Sequence, residues 1–234
     1  MPKYPERVNA VMQRKNVEGE TRLFRSETKI LFGEEPDNEK LLGTVFMTNP
    51  GSFKMQHHDN WSEFSQGLGS VEEIQGKSDP DPTMRNLIRV IREAYQETKI
   101  SLPSGYVAIY NISSLVESDG SKIARIHNQT RAVLGKDGES VLHEVDCYNL
   151  NRFHKKCRDS KFIILGFLKD VFNEQQCRII DWCSQYDHKL VFAIDDSGHL
   201  HHPYRWPLIP GAMEEVKTRL KKAIQTGGND NVPT

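Results

Sequence analysis

Asn49, Asn111 and His202 are the residues of this chain whose types and settings can do chemistry. Each closes a run of β-branched or apolar residues. Thr44–Met47 precedes Asn49-Pro50-Gly51, Tyr106–Tyr110 precedes Asn111, and Lys189–Ile194 leads into a loop holding His202-Pro203. Proline lacks a ladder donor and glycine permits unusual backbone angles, so Pro50 and Gly51 end a strand sharply. A parallel sheet would gather the three ends at one edge, where ligands of open α/β sheets sit. There a carboxamide can orient a water or read a nucleobase with its paired donor and acceptor. A neutral imidazole can donate to an oxygen that gains negative charge as a bond breaks. Pro82-Thr83 opens a helix whose unpaired N–H groups and hydroxyl suit a phosphate. Arg205, between Tyr204 and Trp206, suits a nucleic acid by charge and stacking.

Plainer readings stand beside these. Asn-Pro-Gly is ordinary turn chemistry, asparagine often ends strands through local hydrogen bonds, and Thr83 can be a helix cap. A metal-dependent hydrolase built on the His199–His202 loop is a third reading. His199 and His201 alternate on an extended segment and would face one way, with His57, His58 and Asp59 as further donors. No helical His-x-x-x-His or paired Cys motif accompanies them, so the site residues are assigned no metal, and no cofactor is expected.

The elements that must position these residues alternate between strand and helix. Strands are expected over Thr21–Gly33, Gly43–Asn49, Tyr106–Asn111, Lys161–Gly166 and Lys189–Ile194. A helix follows Asp81-Pro82-Thr83, with Met84, Leu87, Ile88, Ile91, Ala94 and Tyr95 on one face. Asn173 is expected to cap a second helix carrying Cys177, Ile180 and Cys183. A last helix follows Pro210. This order predicts a three-layer α/β sandwich around a mostly parallel sheet. Residues 1–20 are polar and read as a flexible arm, 21–225 as one domain and 226–234 as a disordered tail. Residues 118–158 form an excursion with two short helices around Gly135–Gly138. The long connection from Gly51 to Pro82 carries Phe53, Trp61, Phe64 and Leu68, too aromatic for plain disorder.

Composition sets the bounds. The chain has 234 residues, 37% hydrophobic and 27% charged, with mean hydropathy −0.61, which suits one globular core. No run approaches the roughly 20 apolar residues of a membrane span. The N-terminus lacks the apolar segment of a signal peptide, and the four cysteines lack CxxC spacing, so a cytoplasmic location is expected. A formal net charge of −1 gives no support for strong non-specific nucleic-acid binding.

The motifs resemble those of the uracil-DNA glycosylase superfamily. Met47–Ser52 is similar to the water-positioning motif of its mismatch-specific branch. Asp81–Ile88 is similar to the following proline-rich turn and helix, where a hydroxyl contacts DNA phosphate. Tyr106–Asn111 resembles the strand ending in the base-reading asparagine. His202-Pro203 with Leu208 resembles the histidine-proline loop whose leucine wedges into the duplex. The chain also resembles a group of bacterial and phage proteins with the order Asn-Pro-Ser, Asp-Pro-Thr, Asn-Leu, His-Pro, departing from it with Asn49-Pro50-Gly51 and Asn111-Ile112, and that group brings no activity with it. The resemblance implies a nucleobase, nucleotide or DNA ligand and possession of a glycosylase-like hydrolytic site. Asn49 would orient water, Asn111 and Pro50 would contact the base, and Phe53 or Phe64 would stack on it. His202 would stabilise the departing base, Thr83 and Arg205 would hold phosphate, and Leu208 would be the wedge. Asn49 stands where the most active branch has an acid, which implies a slower, positioning-only site. The competing implication is a non-catalytic nucleotide sensor or protein-interaction module on the same fold.

Overall fold

The computed structural model describes residues 5–33, 40–144 and 147–226. Its centre is a seven-stranded mixed sheet: β1 (Arg7–Val17), β2 (Glu20–Phe32), β3 (Leu41–Met47), β4 (Glu73–Ser78), β5 (Gly105–Asn111), β6 (Phe162–Gly166) and β7 (Leu190–Val191). The spatial order is β4-β1-β2-β5-β3-β6-β7. The strands β5, β3, β6 and β7 are mutually parallel, whereas β4, β1, β2 and β5 pair antiparallel. The helices are α1 (Trp61–Ser65), α2 (Pro82–Thr98), α3 (Ile123–Leu142), α4 (Leu150–Asp159), α5 (Asn173–Cys183) and α6 (Ala212–Thr226).

The central strands are apolar on both sides because both faces are covered. Val45, Met47, Val107, Ile109 and Ile164 pack with α2 and α6 on one face. Phe46, Tyr106, Tyr110, Ile163 and Leu165 pack with α4 and α5 on the other. β3 lies where the strand order reverses: the chain leaves it for β5 on one side, then passes it to reach β6 on the other. Such a switch point opens a crevice beyond the carboxyl ends of the strands.

Several expectations need correction. The sheet is not mostly parallel, because the longer strands lie in its antiparallel half. Residues 7–17, read as part of a loose arm, form β1, which joins β2 through a tight turn with positive φ at Glu18 and Gly19. Buried Arg14 hides the alternation of β1, since its guanidinium caps carbonyls of Phe64 and Leu68 at the end of α1. The 51–82 connection contains edge strand β4 as well as α1. The last strand is only Leu190–Val191. Asn173 is the first residue of α5 rather than its cap, which is Phe172 in the left-handed region. That helix consequently buries Ile179 and Cys183, not Cys177 and Ile180. The 118–158 excursion does hold helices, with α3 broken at Gly135. Within the 226–234 tail, only Thr226 is among the described residues. No helix among the described residues is long and apolar enough to cross a membrane.

Candidate functional site

A cleft of about 290 Å³ opens at the carboxyl edge of β3, bordered by Asn49, Asp81, Thr83, Glu117, Leu168 and His202. Three elements build it. The first is the Asn49-Pro50-Gly51 turn, in which Gly51 takes φ +64°, a value glycine adopts without strain. The Asn49 side chain donates Nδ2–H to the carbonyl of Glu117 at 2.7 Å. That bond fixes the amide orientation, because an oxygen there would face another oxygen. The Asn49 carbonyl oxygen makes no hydrogen bond among the described residues.

The second element is the start of α2. Asp81 is its cap, accepting from the Met84 N–H at 2.9 Å, and Pro82 opens the first turn. Behind Asp81 lies Arg25, fully buried, with Nη1 3.6 Å from Asp81 Oδ2. None of its guanidinium nitrogens makes a hydrogen bond. Burial lowers the Arg25 pKa, opposed by the charges of Asp81 and Glu144. The guanidinium also sits 4.9 Å from the centre of the Phe53 ring.

The third element is the histidine loop. His202 caps a short 3-10 helix, Pro203–Leu208. The loop is held rigidly: His201 N–H donates to Ala193, Trp206 Nε1–H to His201 O, and Asn86 Nδ2–H to Pro203 O. His202 Nδ1 accepts the Tyr204 N–H at 3.3 Å. Burial pushes the His202 pKa down to about 4, so the ring is neutral near pH 7. With Nδ1 accepting, the proton resides on Nε2. That Nε2–H is buried and has no hydrogen-bond partner, a deficit of roughly 1–3 kcal/mol for a group of this kind.

The structure thus brings Asn49, His202 and Thr83 to one cleft. Asn111 is not among the residues that border it. Register explains this: Asn111 pairs with Met47, two residues short of Asn49, and the chain stays extended beside β3 through Ser113 N–H to Thr48 O. Asn111 is fully buried, and its backbone N–H and Nδ2–H both donate to Glu144 Oε1 at 3.1 Å. Phe53 and Phe64 are core residues, with Arg25 and Arg14 over their rings, so neither face is open to a base. Pro50 is buried beside the turn. Arg205 and Leu208 are exposed and lie outside the cleft border. Trp206 is fully buried and seals the core.

Asp81 and Glu117 give the cleft an acidic wall, a feature the sequence reading missed. Both carboxylates are engaged: Asp81 with Met84 and Arg25, and Glu117 with the Asp119 N–H at 2.8 Å. The wall disfavours a phosphate at Thr83 and suits an uncharged polar ligand. The histidine loop assembles no metal set. Asp195 Oδ1 accepts from the Ser197 and His199 N–H groups, and the Ser197 hydroxyl holds its pKa well below the usual carboxylate range. His57 pairs with Asp79 instead. Among the described residues no three His, Cys, Asp or Glu side chains converge on a metal position.

No protein-family model matches the chain, and neither a curated protein nor a solved structure matches it.

Proposed function

We propose that the cleft binds a nucleobase, presented free, in a nucleoside or in an extruded nucleotide. One observation carries this reading: Asn49 and His202 border a single cleft, where each offers a group without an internal partner. A base carbonyl would accept the His202 Nε2–H, and the Asn49 oxygen would accept from a base N–H or an ordered water. A volume near 290 Å³ lies at the lower end of the roughly 300–1,000 Å³ typical of small-molecule sites. The motif resemblance to uracil-DNA glycosylases supports the same ligand class.

In the enzymatic form of this proposal, water held by Asn49 attacks the anomeric carbon, the electron pair of the N-glycosidic bond leaves with the base, and the proton released by the water ends on the departed base. His202 stabilises the departing base oxygen as charge develops there. A duplex substrate would have to extrude the nucleotide. The bonds of Asp81 to Met84 and of Glu117 Oε1 to the Asp119 N–H favour slow turnover or binding alone, since a donor held on a carboxylate weakens it as a base for water. Incubation with duplexes carrying uracil or a mismatched thymine distinguishes the forms. The enzyme releases free base, and Asn49→Ala or His202→Ala stops release. The binding module is stabilised against heat by bases without turnover. Absence of both responses defeats the proposal.

A further inference from the structure

The charged side chains on the border of the Asn49–His202 cleft are Asp81 and Glu117, with no lysine or arginine beside them. The two acids differ in what stands behind them. Arg25 lies 3.6 Å from Asp81 Oδ2 and offsets much of that charge. Glu117 makes no ion pair among the described residues; its Oε1 accepts the Asp119 N–H and its carbonyl takes the Asn49 amide. The lysines nearest in sequence to Glu117 and Leu168 pair elsewhere, Lys122 with Asp119 and Lys169 with Asp195. His202 adds no compensating charge, because burial keeps its ring neutral near pH 7. The field at this border is therefore negative, and Glu117 is its main source.

Acidic residues alone define no ligand; the imidazole beside them narrows the choice. His202 is 9% exposed and its Nε2–H has no partner, so it calls for an acceptor oxygen. Asn49 Oδ1 on the same border calls for an N–H. Tyr204, also on the border, is 53% exposed. Its ring makes no aromatic or cation contact among the described residues, and an open aromatic face attracts a cation. The requirements converge on a planar ligand with a ring carbonyl, an adjacent N–H and a positive charge. An uncharged base satisfies the first two, and a cationic base satisfies all three.

We propose that the ligand this cleft prefers is a purine made cationic by N-alkylation, of the 7-methylguanine kind. The inference rests on the nucleobase reading above and specifies its ligand. The purine O6 accepts the His202 Nε2–H, and N1–H or the 2-amino group donates to Asn49 Oδ1. The delocalised positive charge faces Glu117 and the Tyr204 ring. Unmodified guanine makes the same hydrogen bonds and lacks the charge, so the pair isolates what the acidic border contributes.

Calorimetry on the full chain at pH 6, where 7-methylguanosine keeps its charge, compares that nucleoside with guanosine. The expected result is binding of 7-methylguanosine roughly tenfold tighter or better, a ratio that shrinks as salt is raised. Glu117→Gln keeps an oxygen for the Asp119 N–H, and Tyr204→Leu keeps the backbone donor to His202. Each should cut the ratio at least threefold, with circular dichroism checking that the variants are folded. Asn49→Ala should weaken both nucleosides. Equal affinity for the two, or a ratio indifferent to salt and to both variants, overturns the inference. So does a neutral base that binds while 7-methylguanosine does not, and in that case the nucleobase reading stands. No response to either nucleoside or to any free base overturns both.

Discussion

Tyr204 donates its backbone N–H to Nδ1 of His202, and through that bond the loop decides which ring nitrogen carries the proton. The neutral Nε2–H tautomer is the form able to donate to a ligand oxygen. Burial maintains it, holding the His202 pKa at about 4.

The same burial predicts a pH dependence of stability. His202 and His127 both have pKa values lowered from 6.5 to about 4 by desolvation. The unfolded chain therefore binds more protons than the folded one between these values. Their contribution is fully present above pH 6.5, falls as pH drops toward 4, and changes no further below that. Each such shift corresponds to on the order of 3 kcal/mol. Chemical unfolding measured from pH 7.5 to 4 should show the loss, and His202→Gln should flatten part of it.

Asp81 holds both the start of α2 and the charge of Arg25. Asp81→Ala removes a helix cap, worth about 0.5–2 kcal/mol, and strands a buried cation, for a total of roughly 3–5 kcal/mol. The double variant Asp81→Ala with Arg25→Met should be more stable than Asp81→Ala alone. Urea unfolding of the wild type, Asp81→Ala, Arg25→Met and the double variant measures this, and an additive double variant would contradict the pairing.

A methyl group at Gly166 would lie 2.5 Å from Pro203 Cδ and 3.2 Å from the His201 carbonyl. Gly166→Ala should push the histidine loop outward, costing about 1–3 kcal/mol as overpacking does. It should also weaken base binding, because His202 moves with Pro203. Denaturation and thermal-shift titration with free bases check both effects.

Asn49 and Asn111 should separate stability from binding. Asn49→Ala loses one hydrogen bond, about 1 kcal/mol, and should lower base affinity at least tenfold. Asn111→Ala removes a partner of buried Glu144, costing roughly 1–3 kcal/mol, while base affinity is retained. A tenfold affinity loss in Asn111→Ala would place that side chain at the ligand after all.

Much of the parallel half of the sheet was legible because strands covered on both faces are continuous apolar runs: Thr44–Met47, Tyr106–Tyr110 and Phe162–Leu165 stand out. The start of α2 was legible from Asp81-Pro82-Thr83, but its cap is Asp81 rather than Thr83. The antiparallel half was not, since β1 buries Arg14 through backbone carbonyls that only tertiary structure supplies. Asn49, Thr83 and His202, singled out by type and setting, lie on the border of one cleft. Asn111 does not border the cleft: sequence marks where a strand's pattern stops, not how its end registers with a neighbour. Arg25 and Glu117 left no local signal. Their significance arises from partners distant in the chain.

Histidine-selective ¹⁵N NMR, recorded while uracil, thymine, cytosine, adenine and guanine are added in turn, addresses the nucleobase cleft most directly. The free protein should show His202 neutral at pH 7 with its proton on Nε2, and at least one base should shift that resonance saturably. The shift should vanish in Asn49→Ala. A proton found on Nδ1, or a His202 signal unmoved by every base, would contradict the account.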